Sequence, residues 1–227
     1  MTKEILRGNI DEVLRHLDAA SARFGEKPAL CAVTKTVGAE WINMAAECGV
    51  SIIGENRVQE ALQKFPALNP QLSLHMIGQL QTNKVKYIVE HAAMIQSVDR
   101  LALAEEIDRR GAQVGRAMPV LIQVNIAKEP QKAGIYEEAL PALLERCAQM
   151  KGLSVRGLMA IMPFEDDLAQ IRPHFRRMRE LYEKLGAQKL PNVTMQWLSM
   201  GMSGDYVMAL EEGANMVRVG SSIFGMR

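Results

Sequence analysis

The run PVLIQVNI (119–126) is apolar on both of its alternating faces. A strand of that kind cannot give one side to water, and it belongs to a parallel sheet covered on both sides. Comparable short runs predict strands near 29–34, 50–53, 72–76, 93–97, 118–124, 153–158, 194–198 and 215–219. Helix-length segments lie between them, near 39–48, 55–65, 82–90, 99–110, 135–149, 167–185 and 204–212. Their apolar stripes have helical spacing, as in Val58, Ala61, Leu62 and Phe65, or Leu168, Ile171, Phe175, Met178, Tyr182 and Leu185. Pro173 moves the start of that last helix beyond 167. A further stripe, Leu6, Ile10, Val13, Leu14, Leu17 and Phe24, predicts an extra N-terminal helix ended by Gly25 and Pro28. The pattern fits an α/β chain folded as a single (β/α)8 TIM-type barrel, one domain over 1–227. An open doubly wound sheet is the alternative.

A hydrophobic share of 48% suits one sizeable core, and 23% charged residues with a net charge of +1 argue against a nucleic-acid surface. No apolar run approaches the roughly 20 residues that cross a bilayer. The polar, amphipathic start MTKEILRGNIDEVLRHLDAA is unlike a signal peptide. The three cysteines, Cys31, Cys48 and Cys147, lack metal or disulfide spacing. The expectation is a cytoplasmic protein with reduced thiols, no metal and no membrane partner.

In such a barrel the chemistry collects at the C-terminal ends of the strands. Lys35 closes the first strand and shares a face with Cys31 and Val33. If that face lines the barrel, desolvation frees a nucleophilic amine suited to imine chemistry; otherwise the lysine snorkels to solvent. The last two strand ends carry Ser203-Gly204 and Gly220-Ser221-Ser222, small residues whose backbone N–H groups can point at an anion. Either segment alone is ordinary capping; together, at adjacent strand ends, they favour phosphate. Arg218, between two valines, needs a partner: a carboxylate such as Glu55 or Asp205, or an acceptor on a ligand. His75 is more readily a structural histidine than a catalyst. Asn56 either reaches a ligand or starts a helix, and the methionines either pack on a flat ligand or fill the core. An amine beside a phosphate site also suits a phosphosugar handled by aldolase-like imine chemistry.

The segments AVTKT (32–36), GENRVQEAL (54–62), HMIGQLQTNK (75–84), SVDR (97–100), VNIAKEPQKAGI (124–135), GLMAI (157–161), LSMGMSGD (198–205) and VRVGSSIFG (217–225) run in order along nearly the whole chain. Together they resemble the YggS-like pyridoxal-phosphate homeostasis proteins. The resemblance implies a barrel similar to the N-terminal domain of alanine racemase, with pyridoxal 5′-phosphate (PLP) held as a Schiff base on Lys35. It puts the phosphate on Ser203, Gly204, Gly220 and Ser221, the pyridine nitrogen on Arg218, and pocket-lining positions on Asn56, His75 and Met159. Arg57, Leu74 and Met76 stand where the family has tyrosine-like or aromatic residues; these departures touch neither the lysine nor the phosphate turns.

The resemblance further implies a monomer that buffers or carries PLP in the cell and hands it to PLP-dependent apo-enzymes, with no catalytic residue assigned. The residues support weak chemistry at most. A racemase needs an acid/base group on each face of its imine. None of Tyr87, Tyr136, Tyr182 and Tyr206 falls at an expected strand end, and no second domain is expected after the eighth strand. An arginine on the ring nitrogen also leaves the ring a weak electron sink. A PLP-dependent amino-acid racemase or lyase of low activity is the alternative.

Overall fold

Eight strands, β1 (Ala29–Val33), β2 (Ile52–Glu55), β3 (Ser73–Met76), β4 (Met94–Val98), β5 (Met118–Val124), β6 (Leu153–Ala160), β7 (Val193–Ser199) and β8 (Met216–Val219), pair in parallel and in sequence order. In this computed structural model, which describes residues 1–25, 27–163 and 168–226, β8 returns to pair with β1. Cys31 lies opposite Arg218 in that seam, and Ala32 opposite Val219. The seam closes the barrel and excludes the open doubly wound sheet.

The helices are α1 (Lys3–Phe24), α2 (Ala39–Glu47), α3 (Val58–Lys64), α4 (Val85–Ile88), α5 (Leu101–Gln113), α6 (Leu140–Cys147), α7 (Arg172–Gly186), α8 (Tyr206–Glu211) and α9 (Ser221–Phe224). Strand alternation sends Leu30, Ala32 and Ile53 outward into the core shared with the helices. It sends Cys31, Val33, Ile52 and Met216 into the barrel, where they meet Ile77 and Trp197. Trp197 joins them to a second interior cluster of Met94, Leu121 and Met159.

The predicted N-terminal helix is α1. Thr2 caps its start by accepting from the Ile5 N–H at 3.3 Å, and Gly25 ends it at φ +82°. Leu6, Ile10, Val13 and Leu17 are buried, each contributing about 1.5–3 kcal/mol against α2, α8 and α9. The side chain of Phe24, the last member of the expected stripe, lies outside the described residues.

Several boundaries differ from the periodicity. The second strand runs over Ile52–Glu55 rather than 50–53, so α3 starts at Val58 instead of 55, with extended Arg57 as its N-cap. The stretch 82–90 divides into a 3-10 turn, Thr82–Lys84, and the single α-turn of α4. The stretch 135–149 narrows to α6, preceded by a 3-10 turn at Glu137–Ala139. The last of the long stripes begins at Arg172, with Pro173 in its first turn where no intrahelical N–H is needed. Position 167, its expected start, lies outside the described residues.

Candidate functional site

The C-terminal mouth of the barrel gathers most of the predicted site residues. Strand β1 stops at Val33, and Lys35 and Thr36 form an exposed turn before α2. Of the two readings left open for Lys35, the exposed one holds: its parity matches inward-facing Cys31 and Val33, but the strand ends too soon to bury it. Thr36 has φ +62°, a left-handed conformation that costs a β-branched residue roughly 1–3 kcal/mol.

A buried ion network backs this turn on the outer side of the wall. Glu55 is 1% exposed and accepts from the Thr34 hydroxyl at 2.7 Å and from Lys64 Nζ at 2.9 Å. Burial pushes the Glu55 carboxyl up, while the hydrogen bonds from Lys64 and Thr34 pull it down. Lys64 Nζ also donates to the Thr34 carbonyl at 2.8 Å and to Glu60 at 2.5 Å. Sequence reasoning offered Glu55 only as one alternative partner for Arg218 and missed Lys64, although the Glu60/Lys64 spacing of i, i+4 was a signal.

The turns after β7 and β8 meet. Ser203 Oγ accepts from the Gly220 N–H at 3.1 Å and from the Ser222 N–H at 3.3 Å, and the Ser222 hydroxyl reaches the Ser203 carbonyl. Gly204 and Ser221 are exposed beside them, with open space above the Gly204 Cα. A Cβ on Gly220 would come within 3.1 Å of Val33 Cβ. The glycine–serine turns therefore share a rim with β1, two residues before Lys35.

A polar chain crosses the interior just below this rim. Arg218, 3% exposed, donates from Nη1 to Ser199 Oγ at 2.8 Å and from Nη2 to the Ala160 carbonyl at 2.7 Å. Arginine can only donate. The Ser199 hydroxyl is thus left to donate to Gln96 Oε1 at 2.7 Å, and the Gln96 amide faces His75 Nδ1 at 2.9 Å. His75 Nδ1 accepts, which puts the ring proton on Nε2. Burial alone lowers the His75 pKa to about 4, so the imidazole is neutral at pH 7.

Among the described residues Arg218 forms no ion pair, so of the alternatives left open neither Glu55 nor Asp205 bonds to it directly, although the Asp205 charge acts on it. Burial pulls its pKa down to about 10, still protonated at neutral pH. Cys31, across the seam, is no substitute counter-ion, because burial pushes its thiol up to about 12. The chain Arg218–Ser199–Gln96–His75 escaped the sequence analysis. Its available signal was Gln96, an amide inside a short, largely apolar strand, which has to find buried partners.

The remaining positions lie close by. Half-buried Asn56 follows β2, and its backbone passes so near Gly78 that a Cβ there would stand 2.5 Å from the Asn56 carbonyl. Asn56 precedes α3 and does not start it. Met159 is fully buried in the interior cluster with Met94 and Trp197.

The sequence model for "Alanine racemase, N-terminal domain" matches residues 8–227. A pyridoxal phosphate homeostasis protein of Aquifex aeolicus is 41% identical over 222 residues, 96% of each chain. The chain belongs to this family. Members in Pasteurella multocida and Escherichia coli, carrying the same name, are 37% and 36% identical, over 100% and 96% of the chain. Among solved structures, PipY of Synechococcus elongatus with PLP bound superposes with a TM-score of 0.83 at 37% identity, covering 94% of this chain and all of that one. Its PLP-free form gives 0.88 at 36% identity over 97% of this chain and all of that one. Alanine racemase of Bartonella henselae, at 12% identity and a TM-score of 0.76, shares the fold alone; this chain covers 60% of it.

Proposed function

We propose that this chain holds PLP at the mouth of its barrel, attached through Lys35, and serves the cell as a buffer and carrier of the cofactor. Family members are named for PLP homeostasis, and the PipY structure contains PLP. The observation that carries the reading is the junction of Ser203 with Gly220 and Ser222, set against the end of β1.

The residues fit the group. When bound, PLP supplies an aldehyde, a phosphate dianion and a pyridine nitrogen. Backbone amides of Ser203, Gly204 and Ser221 sit in turns whose small side chains let an anion approach, while the Gly220 N–H is taken by Ser203 Oγ. Arg218, fixed by Ser199 and Ala160 and lacking a carboxylate among the described residues, suits an electron-rich acceptor such as the ring nitrogen. Lys35, exposed on the same rim, offers a primary amine within a turn. Asn56, His75 and Met159 line the remaining sides.

The side chains also support holding rather than turnover. A protonated arginine keeps the pyridine nitrogen unprotonated, which weakens the ring as an electron sink. The Tyr206 hydroxyl is engaged 2.7 Å from His16 on α1, and the Tyr182 hydroxyl donates to the Met195 carbonyl. Neither is poised as an acid or base at the mouth.

The test is reconstitution with PLP, borohydride reduction and mass mapping of peptides. The expected result is one reduced adduct on Lys35, absent in Lys35→Ala. Adducts spread over several lysines with equal yield in both proteins would overturn the assignment. Deuterium exchange at Cα of amino acids separates carrier from enzyme; the expectation is exchange far below ordinary turnover of about 1–1000 per second.

A further inference from the structure

We infer that Lys64, together with Glu55 and Glu60, is a positioning group for the Lys35 amine, clamping the residues on either side of it and holding the strained turn that presents it. The inference rests on the attachment proposed at Lys35. On the leading side, Thr34 is held twice: its carbonyl accepts from Lys64 Nζ at 2.8 Å, and its hydroxyl donates to Glu55 at 2.7 Å. On the trailing side, the Thr36 N–H donates to Glu60 Oε1 at 2.5 Å. Lys64 joins the two carboxylates, at 2.9 Å from Glu55 and 2.5 Å from Glu60.

The trio does not touch the barrel interior. Glu55 and Thr34 follow the outward parity of Ile53 and Ala32, so the network lies between the wall and α3. It is confined: Glu55 is 1% exposed, and its Oε2 is buried without a hydrogen-bond partner among the described residues. A buried ion network adds little net stability compared with apolar packing, so stability alone is a weak account of it. Thr36 supplies the second observation. A threonine at φ +62° stays there only when its surroundings over-determine it, and the carboxylate on its N–H is part of that constraint.

The experiment compares two ligands on the whole chain. PLP reports imine formation; pyridoxine 5′-phosphate, with a hydroxymethyl group in place of the aldehyde, reports phosphate and ring binding alone. In Glu60→Ala, imine formation should slow by about tenfold or more while pyridoxine 5′-phosphate affinity stays within about twofold, because a misplaced amine costs reaction and not ring binding. Lys64→Met should behave the same way. Thr36→Gly removes the backbone strain, so adding Glu60→Ala to it should cost less than in the wild type.

Wild-type rates of imine formation in both Glu60→Ala and Lys64→Met would overturn the inference. So would an equal loss for both ligands, which marks a network that merely supports the fold. A wild-type chain that forms no reducible adduct would instead overturn the attachment at Lys35 itself, and this inference would go with it.

Discussion

The Ser203 hydroxyl accepts from the Gly220 amide at 3.1 Å and ties the turn after β7 to the turn after β8. The two strand ends thereby share one rim. Gly220 has φ −125°, so its need for glycine is spatial: a side chain would press on Val33. Gly220→Val should therefore weaken PLP far more than pyridoxal, which lacks the phosphate, with a difference of about tenfold or more. Fluorescence titration with both ligands measures it. Equal weakening of the two would show that the turn does not serve the phosphate.

Ser199 has two obligations, as acceptor for Arg218 and donor to Gln96. Ser199→Ala leaves a buried guanidinium and a buried amide oxygen each short of a partner. The expected destabilisation is about 2–3 kcal/mol by urea unfolding, larger than for removing a single neutral hydrogen bond. Gln96→Leu breaks the same chain one step further from the arginine and should cost less. If Ser199→Ala unfolds with the wild-type midpoint, the chain is not a structural unit.

The barrel was legible because its signal is periodic. Strand runs such as Met118–Val124 are apolar and buried on both faces, and the stripe Leu6, Ile10, Val13, Leu17 is buried as the spacing requires. Boundaries were less legible where a polar residue continues a strand: Glu55 belongs to β2 because Lys64 and Thr34 meet its carboxylate, a tertiary fact absent from local pattern. The mouth was half legible. Lys35, Ser203, Gly220 and Arg218 stand at strand ends and can be read off in order. The partners of Arg218 could not be, because Ser199 and the Ala160 carbonyl come from other strands, and Ser199 in turn meets Gln96 only inside the closed barrel. Whether Lys35 is buried could not be read locally, because it turns on strand length: β1 ends at Val33, two residues before it.

At the opposite end of the barrel, α5 and the start of β6 approach through two glycines. A Cβ on Gly111 would stand 1.9 Å from the Gly152 carbonyl oxygen, and one on Gly152 would stand 2.0 Å from the Asp108 carbonyl oxygen. The Gly152 N–H also donates to Asp108 Oδ1 at 2.6 Å. Gly111→Ala and Gly152→Ala each force backbone apart and should cost about 3 kcal/mol or more in denaturant titration. The N-terminal face of such barrels serves stability, so PLP affinity per folded molecule should not change. A loss of stability below about 1 kcal/mol would mean that the contact opens easily.

His75 makes stability depend on pH in a predictable direction. Its folded pKa is lowered by burial from 6.5 to about 4. Above about pH 6.5 the imidazole is neutral in both folded and unfolded chains, and its full contribution is present. As pH falls through that value the unfolded chain takes up a proton that the folded chain refuses, so stability declines until the folded pKa is passed. The shift corresponds to up to about 3 kcal/mol across this window. His75→Gln keeps an acceptor for the Gln96 amide and removes the titration. Urea unfolding of both proteins between pH 7 and pH 4.5 should give a steeper loss for the wild type, and the difference between the two slopes isolates the histidine from other titrating groups. Parallel curves would mean that His75 is protonated in the fold and that its Nδ1 does not accept from the Gln96 amide.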